Sequence, residues 1–330
     1  MDCQLIERHY DLLVTELRLI DRHFETEIYI AHTGAERYLV KVMPLFYQNV
    51  DNEGQIAGHL HRHGMSVARF LRNKQGSYVT KLPENQFTVQ EFVEGQTLPL
   101  NSAPEWFLEK SADFLGRTTL ALRDYSPLPL QFGRDFFAAE NALQKKQQYI
   151  SELEKINDPD DHKIVPIYEA QIRHLERIAQ FPIDTGRLTY ANSHGDFHIG
   201  QAIVKGQDIT VIDWASACRL PIVLDIATSY VFASPRCSEG AVDAEGLSRY
   251  IRTYTKHAPL TEYDIQALPY VLYFWYCICN YSPRELASIA SSDHLSGNYQ
   301  PIAALIQKLL GWLYEHVEEL SDELADCFRK

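Results

Sequence analysis

The order of secondary-structure signals, strand-like before residue 94 and helical after it, limits what this chain can fold into more than any other feature. Leu17 to Ile20, Glu27 to Ala31 and Tyr38 to Met43 have strand character, with His32-Thr33-Gly34-Ala35 turning between the latter two. Asn49 to His63 reads as a helix, with Ile56 and Leu60 at helical spacing and Gly64 as its stop. Tyr78 to Lys81 and Phe87 to Phe92 add two strands around a proline-containing turn. Three strands, a helix and two strands make one compact antiparallel sheet with one helix packed on it. Beyond Glu94-Gly95 the pattern is mostly helical. Pro104 to Arg123 is amphipathic through Trp106, Phe107, Phe114, Leu115 and Leu122. Asp135 to Lys155 and His162 to Gln180 follow, separated by the turn signal Asn157-Asp158-Pro159-Asp160-Asp161. Ile203-Val204 and Thr210 to Ile212 flank Lys205-Gly206-Gln207-Asp208 as a small hairpin, and the remainder through Lys330 reads as helical. The expectation is an α+β chain of two domains, residues 1–93 and 94–330, which also suits a length of 330 residues.

Charge narrows the partners. The net charge of -13 argues against nucleic acid, whose phosphates require clustered Lys and Arg. It is compatible with a cationic substrate, although acidity also serves solubility. The N-terminus carries charges where a secretory signal would need an apolar core. The longest apolar run, Leu268 to Tyr281, contains Pro269 and falls short of the roughly 20 residues that span a bilayer. No membrane partner is expected. Six scattered cysteines without a secretory signal read as reduced thiols of a cytoplasmic protein.

The chemistry concentrates in Ser193-His194-Gly195-Asp196-Phe197-His198-Ile199-Gly200-Gln201 and the Ile212-Asp213-Trp214 that follows the hairpin. A carboxylate, an amide five residues on and a second carboxylate after a hairpin suit phosphoryl transfer. There one acid orients a hydroxyl, and two oxygen ligands hold a metal on the phosphates. Singly, Asp196, Gln201 and Asp213 could be a loop cap, a surface amide and a turn acid; jointly they match a catalytic loop. Lys41 lies in Tyr38-Leu39-Val40-Lys41-Val42, where a lysine must point away from the core or find a partner. The kinase template gives it the nucleotide phosphates, held by a helix glutamate for which Glu53 is the natural candidate. Gln90, Glu91, Phe92 and Val93, where strand becomes linker, offer backbone groups that could read an adenine edge.

Other residues carry duller readings. His59, His61 and His63 place at most two rings on one helix face and read as solvated histidines. Asp225, just before an apolar helix, reads as an N-cap and loop anchor. Tyr270, Tyr273, Phe274, Trp275, Tyr276 and Tyr281 read as core that could also line an organic-substrate pocket. A rival treats His194, Asp196 and His198 as ligands of a hydrolytic metal, which leaves the upstream sheet without a task.

Together the loop, the Ile-Asp-Trp hairpin, the lysine, the glutamate and the linker resemble the aminoglycoside phosphotransferase and choline kinase family, over nearly the whole chain. The resemblance implies a protein-kinase-like two-lobed fold, with a small antiparallel-sheet N-lobe and a larger helical C-lobe. It implies Asp196 as the catalytic acid that orients the substrate hydroxyl, and Gln201 and Asp213 as magnesium ligands. Lys41 with Glu53 becomes the phosphate clamp, His194 and His198 buttress the loop, and Asp225 anchors its surroundings. ATP and Mg²⁺ are the implied cofactors. Two departures stand out. The turn Ile20-Asp21-Arg22-His23-Phe24-Glu25-Thr26 has no glycine to let backbone approach the phosphates. Gln201 replaces the usual asparagine, displacing the amide oxygen by about one bond length at a metal that wants ligands at roughly 2.0–2.1 Å; maltokinase-like relatives carry a similar His-Gly-Asp-x-His-x-Gly-Gln.

The expected activity is ATP- and Mg-dependent phosphorylation of a hydroxyl on a small molecule. The rival is a non-catalytic, pseudokinase-like binding or spore-coat-associated protein. Glu239, Asp243 and Glu245 could meet an amine on the acceptor, or could simply be solvated.

Overall fold

A computed structural model describes residues 1–23, 25–34, 36–47, 50–133, 135–156, 164–279, 281–291 and 299–329. The turn expected at 157–161 lies outside the described residues, as do Phe24, Ala35 and Asn49 of the segments named above. The chain divides into two compact units, Met1–Leu98 with Gly200–Ala217, and Pro99–Ile199 with Cys218–Lys330. The fold is α+β and protein-kinase-like, combining a small antiparallel-sheet unit with a mainly helical one.

The first unit opens with α1 (Cys3–His9), capped by the Asp2 side chain, which accepts from Leu5 N–H. Three antiparallel strands follow, β1 (Glu16–His23), β2 (Thr26–Thr33) and β3 (Glu36–Pro44), then α2 (Val50–Arg62), β4 (Val79–Lys81) and β5 (Asn85–Glu91). The strands line up in the order β1-β2-β3-β5-β4. Alternation decides the two faces of β3. Tyr38, Val40 and Val42 pack with Ile6, Tyr10, Val14, Ala31, Phe87 and Val89 under α1. Leu39, Lys41 and Met43 face the other way, where Met43 meets Val50 of α2 and Val79. α2 ends at Gly64: Gly64 N–H donates to His61 and Met65 N–H to Leu60, which satisfies two terminal carbonyls. Its placement depends on Gly54, because a Cβ there would stand 2.5 Å from the Tyr78 ring.

The structure corrects the expected loop from Ile20 to Thr26. β1 runs on to His23 and β2 begins at Thr26, with a bulge between Leu19 and Asp21. An Arg22–Glu27 ion pair at 2.5 Å links the two strands there. Polar side chains on an edge strand facing water resemble a loop when only hydrophobicity is read. The hairpin β7 (Ala202–Lys205) and β8 (Asp208–Val211) belongs to this unit, paired as Ala202 with Val211 and Lys205 with Asp208.

The second unit contains α3 (Glu105–Ala121), α4 (Ala139–Leu153), α5 (Val165–Ile178), β6 (Tyr190–Ser193), β9 (Cys218–Pro221), α6 (Ile222–Ala233), α7 (Ala244–Thr255), α8 (Glu262–Cys279), α9 (Pro283–Ser291) and α10 (Tyr299–Arg329). Every residue of α6 is buried, as expected of a helix that is apolar all round. The all-helical reading beyond the hairpin is corrected by β9, which pairs antiparallel with β6. Cys-Arg-Leu-Pro is too short to show a strand period by itself. Among the described residues no helix is long and apolar enough to cross a membrane.

Candidate active site

In the first unit, Lys41 occupies the middle of β3, paired across to Ile28 of β2 and Thr88 of β5. Its side chain points to the α2 face and is largely buried. Its Nζ donates to Asp213 Oδ1 at 2.9 Å. Glu53, in the first turn of α2, is 2% exposed, and its Oε1 accepts from the Trp214 backbone N–H at 3.1 Å. Oε2 of Glu53 has no hydrogen-bond partner among the described residues. Burial pushes the Glu53 carboxyl upward, against the opposing pull of Lys41. Burial alone would depress Lys41, but Glu53 and Asp213 together outweigh it and hold the ammonium charged. One lysine and two acids leave this cluster with an excess of negative charge, a surrounding that favours a further cation. Lys41 therefore closes on Asp213 directly, and Glu53 acts on it electrostatically while fixing the backbone one residue beyond Asp213.

Asp213 sits at φ 60, ψ 64, the left-handed region that few non-glycine residues occupy. Such a conformation survives only where the surroundings impose it, and it turns the side chain out of the strand direction. Gln201 is tied to the same place: Ile212 N–H donates to the Gln201 carbonyl at 3.0 Å, one step beyond the Ala202–Val211 pair. The hairpin thus sets Gln201, whose side chain ends in an amide, and the carboxylate-bearing Asp213 at its open end. These are hard, oxygen-only donors, the set that suits a magnesium-like ion already carrying phosphate and water. The residues present fit that group.

The four linker residues are partly committed. Gln90 pairs with Leu39 within the sheet. Glu91 N–H donates to Arg69 at 2.8 Å and Phe92 N–H to Arg37 at 3.1 Å, with the Arg37 guanidinium 4.3 Å over the Phe92 ring. The Glu91 and Phe92 N–H groups are therefore not free to read an adenine edge. Val93 N–H makes no hydrogen bond among the described residues.

In the second unit, β6 delivers Ser193 and the loop that follows. Asp225 Oδ2 accepts from Ser193 Oγ at 2.5 Å and from Gly195 N–H at 3.0 Å. Asp225 lies inside α6, 2% exposed, and Pro221 occupies the cap position. The N-cap reading of Asp225 is therefore overturned: its carboxylate reaches back to the loop instead of binding its own helix. Burial raises its pKa, against the two hydrogen bonds. Phe197 is buried, its ring 5.8 Å from Phe114 and from His194. Between these anchors Asp196 stays 53% exposed, with His198 Nε2 at 3.9 Å from its Oδ2. An exposed carboxylate on a loop pinned from both sides is suited to meet a substrate hydroxyl.

Several alternative readings end here. Among the described residues no three His, Cys, Asp or Glu side chains come together as a metal site, so His194, Asp196 and His198 do not converge. The His59 and His63 rings lie 4.4 Å apart and tilted, at the C-terminal end of α2. Glu239 pairs with Lys308, Asp243 with Arg236 and Glu245 with Arg249, so the three acids meet this chain's own cations. Tyr273, Phe274 and Tyr276 are buried core, whereas Tyr270, Trp275 and Tyr281 are half-buried. Burial raises Tyr276 far above an ordinary phenol, with the Asp196 charge adding to it. Ser193 and the Trp214 backbone are partners of Asp225 and Glu53 that the sequence did not single out; no spacing rule marks either.

The sequence profile of the phosphotransferase enzyme family (APH) matches residues 16–260. The chain belongs to this family. No curated protein sequence matches it significantly. Among solved structures, spectinomycin phosphotransferase in complex with ADP and spectinomycin is similar with a TM-score of 0.66 at 12% identity, covering 97% of each chain. Amicoumacin kinase in complex with AMP-PNP, Ca²⁺ and its ligand gives 0.62 at 14% identity, over 97% of this chain and 94% of that one. A microcompartment-associated aminopropanol kinase gives 0.58 at 16% identity, over 96% and 97%. At such identities the likeness is one of fold.

Proposed function

We propose that the protein is an ATP- and magnesium-dependent kinase that phosphorylates a hydroxyl group of a small molecule. The observation that carries this reading is the Lys41–Asp213 pair at 2.9 Å with Glu53 bound to Trp214 N–H. A strand lysine, a helix glutamate and a post-hairpin aspartate converging in this way have a clear use in gripping nucleotide phosphates. The family assignment supports the reaction class, and the nucleotides held by two of the similar structures support the choice of cofactor.

Lys41 holds the α/β-phosphates by charge, and Glu53 keeps that ammonium in place and charged. Gln201 and Asp213 would hold the metal, which when bound neutralises charge on the phosphates and orients them. Asp196 orients the acceptor hydroxyl and accepts its proton as the phosphoryl group is transferred. Asp225, through Ser193 and Gly195, keeps the Asp196 loop from rearranging. The bond from the acceptor oxygen to the γ-phosphorus forms as the bond to the β,γ-bridging oxygen breaks and ADP leaves, so positioning supplies most of the rate. Val93 N–H is the linker group available to the adenine edge, while Gln90, Glu91 and Phe92 shape its surroundings.

The acceptor is a small organic molecule bearing a hydroxyl. The net charge of -13 is compatible with a cationic acceptor. A panel of amino alcohols, aminoglycosides and sugars assayed by ADP release, with Asp196→Asn alongside, tests the proposal. Acceptor-dependent ADP release that Asp196→Asn abolishes supports it; no release with any acceptor at millimolar Mg-ATP favours the non-catalytic binding protein.

A further inference from the structure

We infer that Gly95 is a positioning residue for the metal-binding hairpin, an inference that rests on the kinase reading of Gln201 and Asp213. The hairpin is held along both edges within its own unit. On one side Val211 of β8 bridges to Val67, with Val211 N–H donating to Ser66 and Ala68 N–H to Val211. On the other, β7 bridges to the linker: Gln96 N–H donates to Val204 at 3.0 Å, and Val204 N–H to Gln96 at 2.8 Å. The residue before this bridge is Gly95, at φ +141. A Cβ on it would stand 2.4 Å from the Val204 carbonyl oxygen and 2.8 Å from Ile203 Cγ2. The Val204 carbonyl carbon would be 2.9 Å away, so two of the three contacts are with backbone, no side-chain rotation relieves the crowding, and β7 itself must move.

The consequence falls on the metal ligands. β7 starts one residue after Gln201, and its ladder with β8 sets where Gln201 stands relative to Asp213. Strands transmit displacement because their cross-strand hydrogen bonds fix spacing rung by rung. Magnesium tolerates little distortion of its ligand shell. Gln201 already reaches with a longer side chain than asparagine, so its backbone position matters more. Gly95 acts by allowing the linker close enough to lock β7 in place.

The turn of the same hairpin supplies a control. Gly206 also has positive φ, at +63, but a Cβ there would meet nothing within 4 Å. Gly206→Ala strains the turn without pushing β7. The experiment measures the Mg²⁺ concentration that half-saturates the thermal shift given by a fixed AMP-PNP concentration. Gly95→Ala should need about tenfold more Mg²⁺ than the unmodified protein, the scale seen when a support of a metal ligand is lost. Gly206→Ala should stay within about twofold. An unchanged requirement in Gly95→Ala, or an equal rise in both variants, overturns the inference.

A second measurement needs no substitution. In the unmodified protein, Mg²⁺ with AMP-PNP should slow hydrogen exchange at the Gln96 and Val204 amides, because the bridge and the ligands form one unit. Slowing confined to Gly200–Ile212, with the linker side unchanged, overturns the inference while leaving the kinase reading intact. Absence of any Mg-dependent nucleotide binding in the unmodified protein instead removes the kinase reading, and this inference with it.

Discussion

Lys41 Nζ donates to Asp213 Oδ1 at 2.9 Å across 172 positions of sequence. Glu53 adds its charge to Lys41 while its own oxygen takes the Trp214 N–H. The three side chains share one balance of charge. Lys41→Met leaves Glu53 buried without its counter-charge, and breaking a buried pair from one side costs about 3 kcal/mol. Glu53→Gln in the Lys41→Met background should recover part of that loss. Denaturant unfolding of the two single variants and the double variant checks this; strict additivity would contradict the coupling.

Asp225 predicts a different phenotype. Asp225→Ala leaves Ser193 Oγ and Gly195 N–H without their acceptor, in a setting where lost buried hydrogen bonds cost about 1–3 kcal/mol. Activity should fall as well, because the Asp196 loop loses its tether. Ser193→Ala should show a milder version of both effects. Thermal melts and initial rates measured together check this; a stability loss without any loss of rate would detach the tether from catalysis.

Stability should depend on pH through His174 of α5, which hydrogen-bonds Tyr273 Oη at 2.9 Å. Burial, with a contribution from Arg173, lowers its pKa to about 4 from 6.5. The unfolded chain therefore binds a proton first as pH falls. The contribution of neutral His174 is fully present above pH 6.5 and is progressively lost down to about 4. The melting temperature should drop across this window more steeply in the unmodified protein than in His174→Gln. Parallel pH profiles would refute this assignment.

Gln201 provides a test of the amide ligand. Gln201→Leu keeps similar bulk but offers no oxygen, so the Mg²⁺ requirement for nucleotide binding should rise about 10-fold or more. A Mg²⁺ titration of the AMP-PNP thermal shift reads the change directly, and an unaltered requirement would remove Gln201 from the ligand set.

Much of the architecture was legible because it is local. The alternation in Tyr38 to Met43 reports which side of β3 is core, and the stop at Gly64 follows from backbone hydrogen bonding within five residues. The loop around Asp196 and the Asp213 that follows the hairpin were legible as a pattern of residue types at fixed spacing. What escaped depends on pairing across long sequence distances. The β6–β9 pair and the bridge from Gln96 to Val204 leave no periodic trace in either partner. Asp225 misled for a related reason: an acid beside an apolar helix looks like a cap, and only its partners 30 and 32 positions earlier show otherwise. At Glu91 and Phe92, the backbone donors proved to be spent on Arg69 and Arg37, which hydrophobicity cannot report.

If Lys41, Gln201 and Asp213 bind a nucleotide's phosphates together with magnesium, nucleotide binding must depend on both the ion and Asp213. The most direct measurement is the melting temperature of the protein titrated with AMP-PNP, with and without Mg²⁺, beside Asp213→Ala. Binding at about 100 times Kd would stabilise the fold by about 2.7 kcal/mol, a clear upward shift. Joint binding by these residues and magnesium predicts that shift in the unmodified protein with Mg²⁺, its loss on chelation, and its loss in Asp213→Ala. No shift at millimolar nucleotide, or one indifferent to both Mg²⁺ and Asp213, would contradict it.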